Sequence, residues 1–326
     1  MKRDYKISII RILAMIAIVL CHIFQSQQMN IAFWLNVGVQ VFLFMSGFLY
    51  GKKNIEDTWS WIKRQFSKIL IPYYIYVLII LLLYIISARN VLTIKNIISL
   101  ICCLPIFPLP AGLGHLWFIP VILICYLMTP LLQKLLKQKS GINKLFFIVA
   151  IIGIVEIFSY LIGIGNNIRN IMCYVLGYLL SSFLDTNKKE KNILSISIII
   201  LAIIFNSIKI FIIPSNYNII LSMFLKIILD NSHILLGSAI FIILYKLLEL
   251  MEKHLRPWIL KIINEVDKNC FYIYITHHIF ILGPLALINL TNNLLFDIII
   301  VLCCIVVTSY LLGLLTNLVK KGVKKT

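Results

Sequence analysis

Residues 7–24 read ISIIRILAMIAIVLCHIF, eighteen residues in which Ser8, Arg11 and His22 are the polar side chains. As a helix this segment is about 27 Å long, close to the ~30 Å hydrocarbon core of a bilayer. Runs of the same kind recur along the chain at 32–51, 69–87, 116–136, 144–164, 171–185, 193–213, 231–249, 271–290 and 296–318. Of the 326 residues, 61% are apolar and 13% charged, and mean hydropathy is +1.00. Unbroken apolar runs of this length exclude a soluble, disordered or disulfide-framework chain. The fold class expected is all-α, a polytopic integral membrane protein of about ten transmembrane helices. Two shorter apolar stretches, 97–107 and 217–229, are expected at the interface or as re-entrant segments.

Lysine and arginine collect in alternate loops when spans are counted correctly. The N-terminus, loops 52–68, 134–144, 188–191 and 246–268 and the tail together hold 24 of the 30 basic residues. Arg89, Lys95, Arg169, Lys209 and Lys226 fall on the other side, and Arg11 lies within the first span. This pattern predicts an even span count with both termini cytoplasmic. It also assigns the net charge of +18 to topology, so no nucleic-acid partner is expected. Residues 1–326 read as a single membrane-embedded domain with no appended soluble domain and no cleavable signal peptide. The eight cysteines show no C-x-x-C spacing and read as small apolar fillers.

Ionisable groups at membrane depth are costly and usually face a polar interior. Arg11 and His22 are eleven residues apart, about 20° beyond three helical turns, so they share a helix face with ~16 Å of rise between them. Snorkelling and local capping would account for the pair. So would a pore in which an anionic donor meets the arginine and its reactive end reaches the histidine, whose neutral imidazole takes a proton from a hydroxyl. Arg64 and Lys68 are i,i+4 neighbours that read either as a topology anchor or as a phosphate-binding pair. His115 and Trp117 open the fourth span, and Tyr272, Tyr274, His277 and His278 cluster in the ninth. Glu156 is a lone carboxylate in the fifth span and requires a partner or a proton. No metal-binding, phosphate-loop or dinucleotide motif is present, so no bound metal or cofactor is expected.

Five segments occur in an order that resembles the acyltransferase 3 family of integral membrane acyltransferases. They are Arg11 through His22, the stretch from Val37 to Leu49 that holds Phe44-Met45-Ser46-Gly47-Phe48, Lys68 to Pro72, His115-Leu116-Trp117-Phe118, and Tyr274-Ile275-Thr276-His277. The resemblance covers nearly the whole chain. It implies an O-acetyltransferase that moves an acyl group, foremost acetyl, from acyl-CoA to a surface polysaccharide, a lipid-linked sugar or a similar acceptor. It further implies His22 as the catalytic histidine, Arg11 positioning the donor, and Arg64, Lys68 and Arg11 contacting acyl-CoA on the cytoplasmic side. Ser46, His115, Trp117, Tyr274, His277 and Glu156 are the candidates for acceptor or oxyanion contacts. Members often carry an aspartate where this chain has Ser8, and an Arg-x-x-Arg pair where it has Arg64-x-x-x-Lys68. The expected partners are acyl-CoA, the acceptor and membrane lipid, with a homodimer left open. The expected location is a bacterial inner or plasma membrane. A solute or glycan transporter and a non-catalytic sensor on the same fold are the alternative readings.

Overall fold

The computed structural model of the chain describes residues 4–104, 107–136, 153–154, 167–182, 188–211, 219–251 and 256–323. Every regular element among them is helical. The α-helices are α1 (Tyr5–Ser26), α2 (Ile31–Leu35), α3 (Gly38–Gly51), α4 (Thr58–Ser87), α5 (Ile94–Ile101), α6 (Phe118–Leu136), α7 (Ile171–Ser182), α8 (Lys188–Phe211), α9 (Ile219–Met251), α10 (Pro257–Thr276) and α11 (Leu294–Val323). Short 3-10 turns at Gly114–Trp117 and His277–Phe280 precede α6 and follow α10. Seven helical segments among the described residues are long and apolar enough to cross a membrane: Tyr5–Ser26, Ile31–Gly51, Thr58–Ser87, Gly114–Leu136, Lys189–Phe211, Leu225–Met251 and Leu294–Gly322.

The differences from the ten expected spans have local causes. The run at 271–290 is not one helix: α10 stops at Thr276, a 3-10 turn follows, and Gly283 at φ 122° sends the chain away. A glycine at positive φ followed by Pro284 keeps helix from continuing past that point, which apolar content alone does not reveal. Of the run at 171–185, Ile171–Ser182 forms a helix of 12 residues, and 183–185 lie outside the described residues. Of the stretch 217–229, expected at the interface or as a re-entrant segment, 217–218 lie outside the described residues. Residues 219–229 form the first turns of α9, because no proline interrupts the apolar sequence between 219 and 251. The stretch at 97–107 contributes to the eight-residue α5, started by a capping box in which Thr93 and Asn96 satisfy each other's backbone amides. The expected span 144–164 lies outside the described residues apart from 153–154.

The chain divides into two compact units. The first comprises Met1–Ala14, Val37–Glu56 and Ile124–Leu255. In it α3 packs against α7, and α9 packs against α8 and α3. A Cβ on Gly47 would stand 1.9 Å from the Tyr174 carbonyl oxygen, and one on Gly177 2.0 Å from that of Phe44. Small residues thus let the two backbones touch, the usual means of helix association where lipid removes the hydrophobic driving force. The Ser46-Gly47-Phe48 segment is therefore a packing seam. Gly47→Leu is expected to lower the melting temperature of the purified protein by roughly 5–10 °C, from about 2–3 kcal/mol of overpacking. Gly114→Leu, where a Cβ meets nothing within 4 Å, serves as the control, and an equal effect of both would remove the packing argument.

The same unit holds a polar network. Arg169, expected in an outer loop, is buried and forms an ion pair with Asp230 of α9. Lys209 donates to Ser232 Oγ at 3.1 Å, and Gln40 donates to Asn170 Oδ1 at 2.9 Å. Charges at this depth persist because they are paired.

The second unit comprises Met15–Asn36, Asp57–Leu123 and Arg256–Thr326. Here α11 packs against α10 and α4. Asp57 starts α4 by accepting from the Ser60 amide at 3.1 Å. The hydrogen bonds from Ser60 hold its carboxyl below the usual carboxylate range. That support for the helix start is present at neutral pH and is lost as pH falls through the depressed value. Asn293 accepts from the amides of Leu295 and Phe296 to begin α11, in the manner of an N-cap.

Candidate active site

Four of the six histidines in the chain meet in the second unit. α1 supplies His22, the turn before α6 supplies His115, and the turn after α10 supplies His277 and His278. The His22 ring centroid lies 5.3 Å from that of His277 and 4.5 Å from that of His278. His115 lies 5.0 Å from His277 and stacks on His278 at 4.7 Å. His115, His277 and His278 are buried, and His22 is half-buried.

Hydrogen bonds fix which nitrogen of each ring carries the proton. His22 Nδ1 donates to Gln25 Oε1 at 2.9 Å, one helical turn on. His115 Nε2 donates to the Ile275 carbonyl at 2.9 Å, and His277 Nδ1 to that of Tyr274 at 2.7 Å. His278 hydrogen-bonds the backbone of Gly112. The opposite nitrogens, His115 Nδ1, His277 Nε2 and His278 Nδ1, are buried with no partner among the described residues. Each such orphan costs about 1–3 kcal/mol. Each carries a lone pair that a donor such as a hydroxyl would satisfy. Among the described residues, no group of His, Cys, Asp and Glu is arranged to hold a metal ion.

Two glycine turns set this arrangement. Gly112 (φ 84°) and Gly283 (φ 122°) touch, such that a Cβ on Gly283 would stand 2.6 Å from Gly112 Cα. Gly112 lies three residues before His115 and Gly283 five after His278, so one contact clamps both ends of the cluster. Tyr84 anchors the first turn by donating to the Ala111 carbonyl at 2.7 Å.

Of the residues nominated from the sequence, the structure brings together His22, His115, Tyr274 and His277. Tyr274 is buried and its hydroxyl donates to the His115 carbonyl. Its single proton is therefore committed, and the residue positions the 114–117 turn. Trp117 is half-buried beside Phe118, ring centroids 6.5 Å apart. Arg64 and Lys68 are exposed on α4, where Lys68 Nζ also reaches Gln65 Oε1 at 3.4 Å. Arg11, half-buried on α1, and Ser46, half-buried on α3, belong to the first unit. Glu156 lies outside the described residues. His278, grouped with His277 in the sequence but not nominated for the site, joins the cluster. Its signal was the doublet itself, two adjacent ring nitrogens in an otherwise apolar run.

A family model described as an acyltransferase domain matches residues 4–316. The chain belongs to the acyltransferase 3 family. No curated protein and no solved structure matches it. Membership makes the chain a membrane acyltransferase.

Proposed function

We propose that the protein is an O-acetyltransferase of the bacterial plasma membrane, with both termini in the cytoplasm, that takes an acetyl group from cytoplasmic acetyl-CoA. The acceptor is a hydroxyl of a surface polysaccharide, a lipid-linked sugar or a similar molecule. The observation that carries the reading is His22, the partly exposed member of a group of four imidazoles whose Nδ1 is already bonded to Gln25. Its Nε2 lone pair is left to act as base, and the buried lone pairs of its neighbours favour a hydroxyl as occupant.

In the proposed step, His22 Nε2 takes the proton of the acceptor hydroxyl while the oxygen attacks the thioester carbonyl. The tetrahedral adduct collapses with cleavage of the C–S bond. The proton passes from the imidazolium to the departing thiolate, giving free coenzyme A and an O-acetyl ester. Neutral His115 and His277 present acceptors, so they suit orientation of the hydroxyl better than stabilisation of an oxyanion. Of the nominated residues near the cluster, Trp117 is the one whose ring atom can only donate, and it is the oxyanion candidate. Arg64 and Lys68 hold the phosphates of coenzyme A.

Acetyl-CoA binding to detergent-purified protein tests the donor half before any acceptor is known. Arg64→Ala/Lys68→Ala is expected to weaken binding about 10- to 100-fold, the loss of two partly solvated charge-assisted contacts. Unchanged affinity in the double variant would remove these residues from the donor site.

A further inference from the structure

A groove of about 580 Å³ runs along the second unit between α1, α10 and α11. That is within the ~300–1,000 Å³ of ordinary ligand sites. Its α10 wall is Glu265, Asn269 and Ile273, residues at i, i+4 and i+8, and the next step on that row is His277. His277 directly follows the last residue of α10 and opens the 3-10 turn, so it stands at the end of this row. On α1, Met15 and Val19 line the groove, and His22 follows three residues on. Both walls therefore lead, within one helical turn, into the histidine cluster.

The lining chemistry selects the occupant. Ile16, Leu302, Val306 and Tyr310 are part of the groove and part of the exposed apolar surface, so the groove opens sideways toward lipid. Two of its polar groups serve their own helices: Ser309 Oγ donates to the Val306 carbonyl at 2.9 Å and Asn269 Nδ2 to that of Glu265 at 2.9 Å. A pantetheine arm, with two amides to satisfy, would lose hydrogen bonds there. The Glu265 carboxylate at the far end, paired with Lys268 at 2.7 Å, is also a poor neighbour for the phosphates of coenzyme A. From Glu265 to His277 is about 18 Å along the helix, room for a long alkyl chain.

The geometry points to a hydrocarbon-tailed acceptor that lies in this groove with its hydroxyl-bearing head among the histidines. This rests on the acetyltransferase reading and narrows the acceptor to an amphiphile held by its tail. Val306 supplies an exposed position from which a larger side chain fills the groove without disturbing the packed core. Val307, also exposed, lies on α11 outside the groove lining and is the matched control.

The test is photolabelling of the full chain in lipid nanodiscs with a long-chain alkyl glucoside carrying a diazirine in its tail, with labelled positions mapped by mass spectrometry. Labelling is expected to concentrate on Met15, Val19, Ile273 and Ile305 over the outward face of α8 at Ile200 and Ile203. Val306→Trp is expected to cut groove labelling at least about fivefold while Val307→Trp leaves it unchanged. Acetyl-CoA is expected not to displace the probe. Labelling spread evenly over the apolar surface, equal effects of the two tryptophans, or displacement by acetyl-CoA would each overturn the assignment. Acetyl-CoA binding on the same preparation separates the two levels. Binding without groove labelling removes the groove alone, whereas groove labelling by a protein that binds no acetyl-CoA removes the acceptor role together with the transferase reading.

Discussion

His22→Ala is expected to lower acetyl transfer by about 10²–10⁴-fold, the usual contribution of a positioned general base, while acetyl-CoA affinity stays within about twofold. The split follows from where His22 sits. Its Nδ1 is held by Gln25 at 2.9 Å, and its ring stands against His277 and His278. The proposed donor contacts, by contrast, come from Arg64 and Lys68 on α4. Removing the imidazole deletes the proton acceptor and leaves the phosphate contacts in place. The neighbouring histidines do not substitute, because each is fixed by a backbone carbonyl rather than free to reorient. Gln25→Ala supplies a graded companion, expected to lose about tenfold or less, since the base remains and its orientation loosens. The kcat loss of each variant is compared with acetyl-CoA affinity by calorimetry. A His22→Ala protein that binds and transfers normally would transfer the base role elsewhere or remove it.

Gly283→Val is expected to abolish transfer and to lower the melting temperature by roughly 10 °C. Two independent penalties meet at this position. A β-branched residue at φ 122° costs about 1–3 kcal/mol in backbone strain. Its Cβ would also stand 2.6 Å from Gly112 Cα and 2.8 Å from the Gly112 nitrogen, both backbone atoms that cannot swing aside. Relief requires the two turns to part, and that moves His115 and His278 away from each other. A displacement of about 1 Å at a reacting centre is enough to cost about 10²-fold. Gly112→Val meets the Tyr84 hydroxyl at 2.6 Å and the Leu282 carbonyl at 2.8 Å and is expected to behave alike. Gly114→Ala, in the same turn with open space around its Cβ, should keep both activity and melting temperature. Melting curves and transfer rates for the three variants together decide the point. Full activity in Gly283→Val would mean that the clamp does not position the cluster.

The all-helical membrane character was legible in residues 7–24 and their repeats, because hydrocarbon thickness fixes the length of an apolar run. Boundaries inside apolar sequence were not. The end of α10 at Thr276 and the change of direction at Gly283 (φ 122°) are features of backbone geometry that do not alter hydropathy. His22, His115 and His277 were readable as polar residues in apolar company, yet their meeting was not, since it joins segments 93 and 162 residues apart. Tyr274 reads from its type as a hydroxyl donor to substrate. The fold gives that proton to the His115 carbonyl instead. Ser46 drew attention as part of a motif whose glycine closes a helix seam. The pairing of Arg169 with Asp230 was hidden by assigning the arginine to a loop by charge count alone.

The most direct test of the account follows thiol release from acetyl-CoA by the purified full chain in proteoliposomes, with an envelope glycan fraction added as acceptor. The account predicts one acetyl ester formed for each thiol released, with release accelerated by the acceptor and absent in His22→Ala. Acetyl-CoA left intact by a folded wild-type protein, or release that continues unchanged without His22, would contradict it.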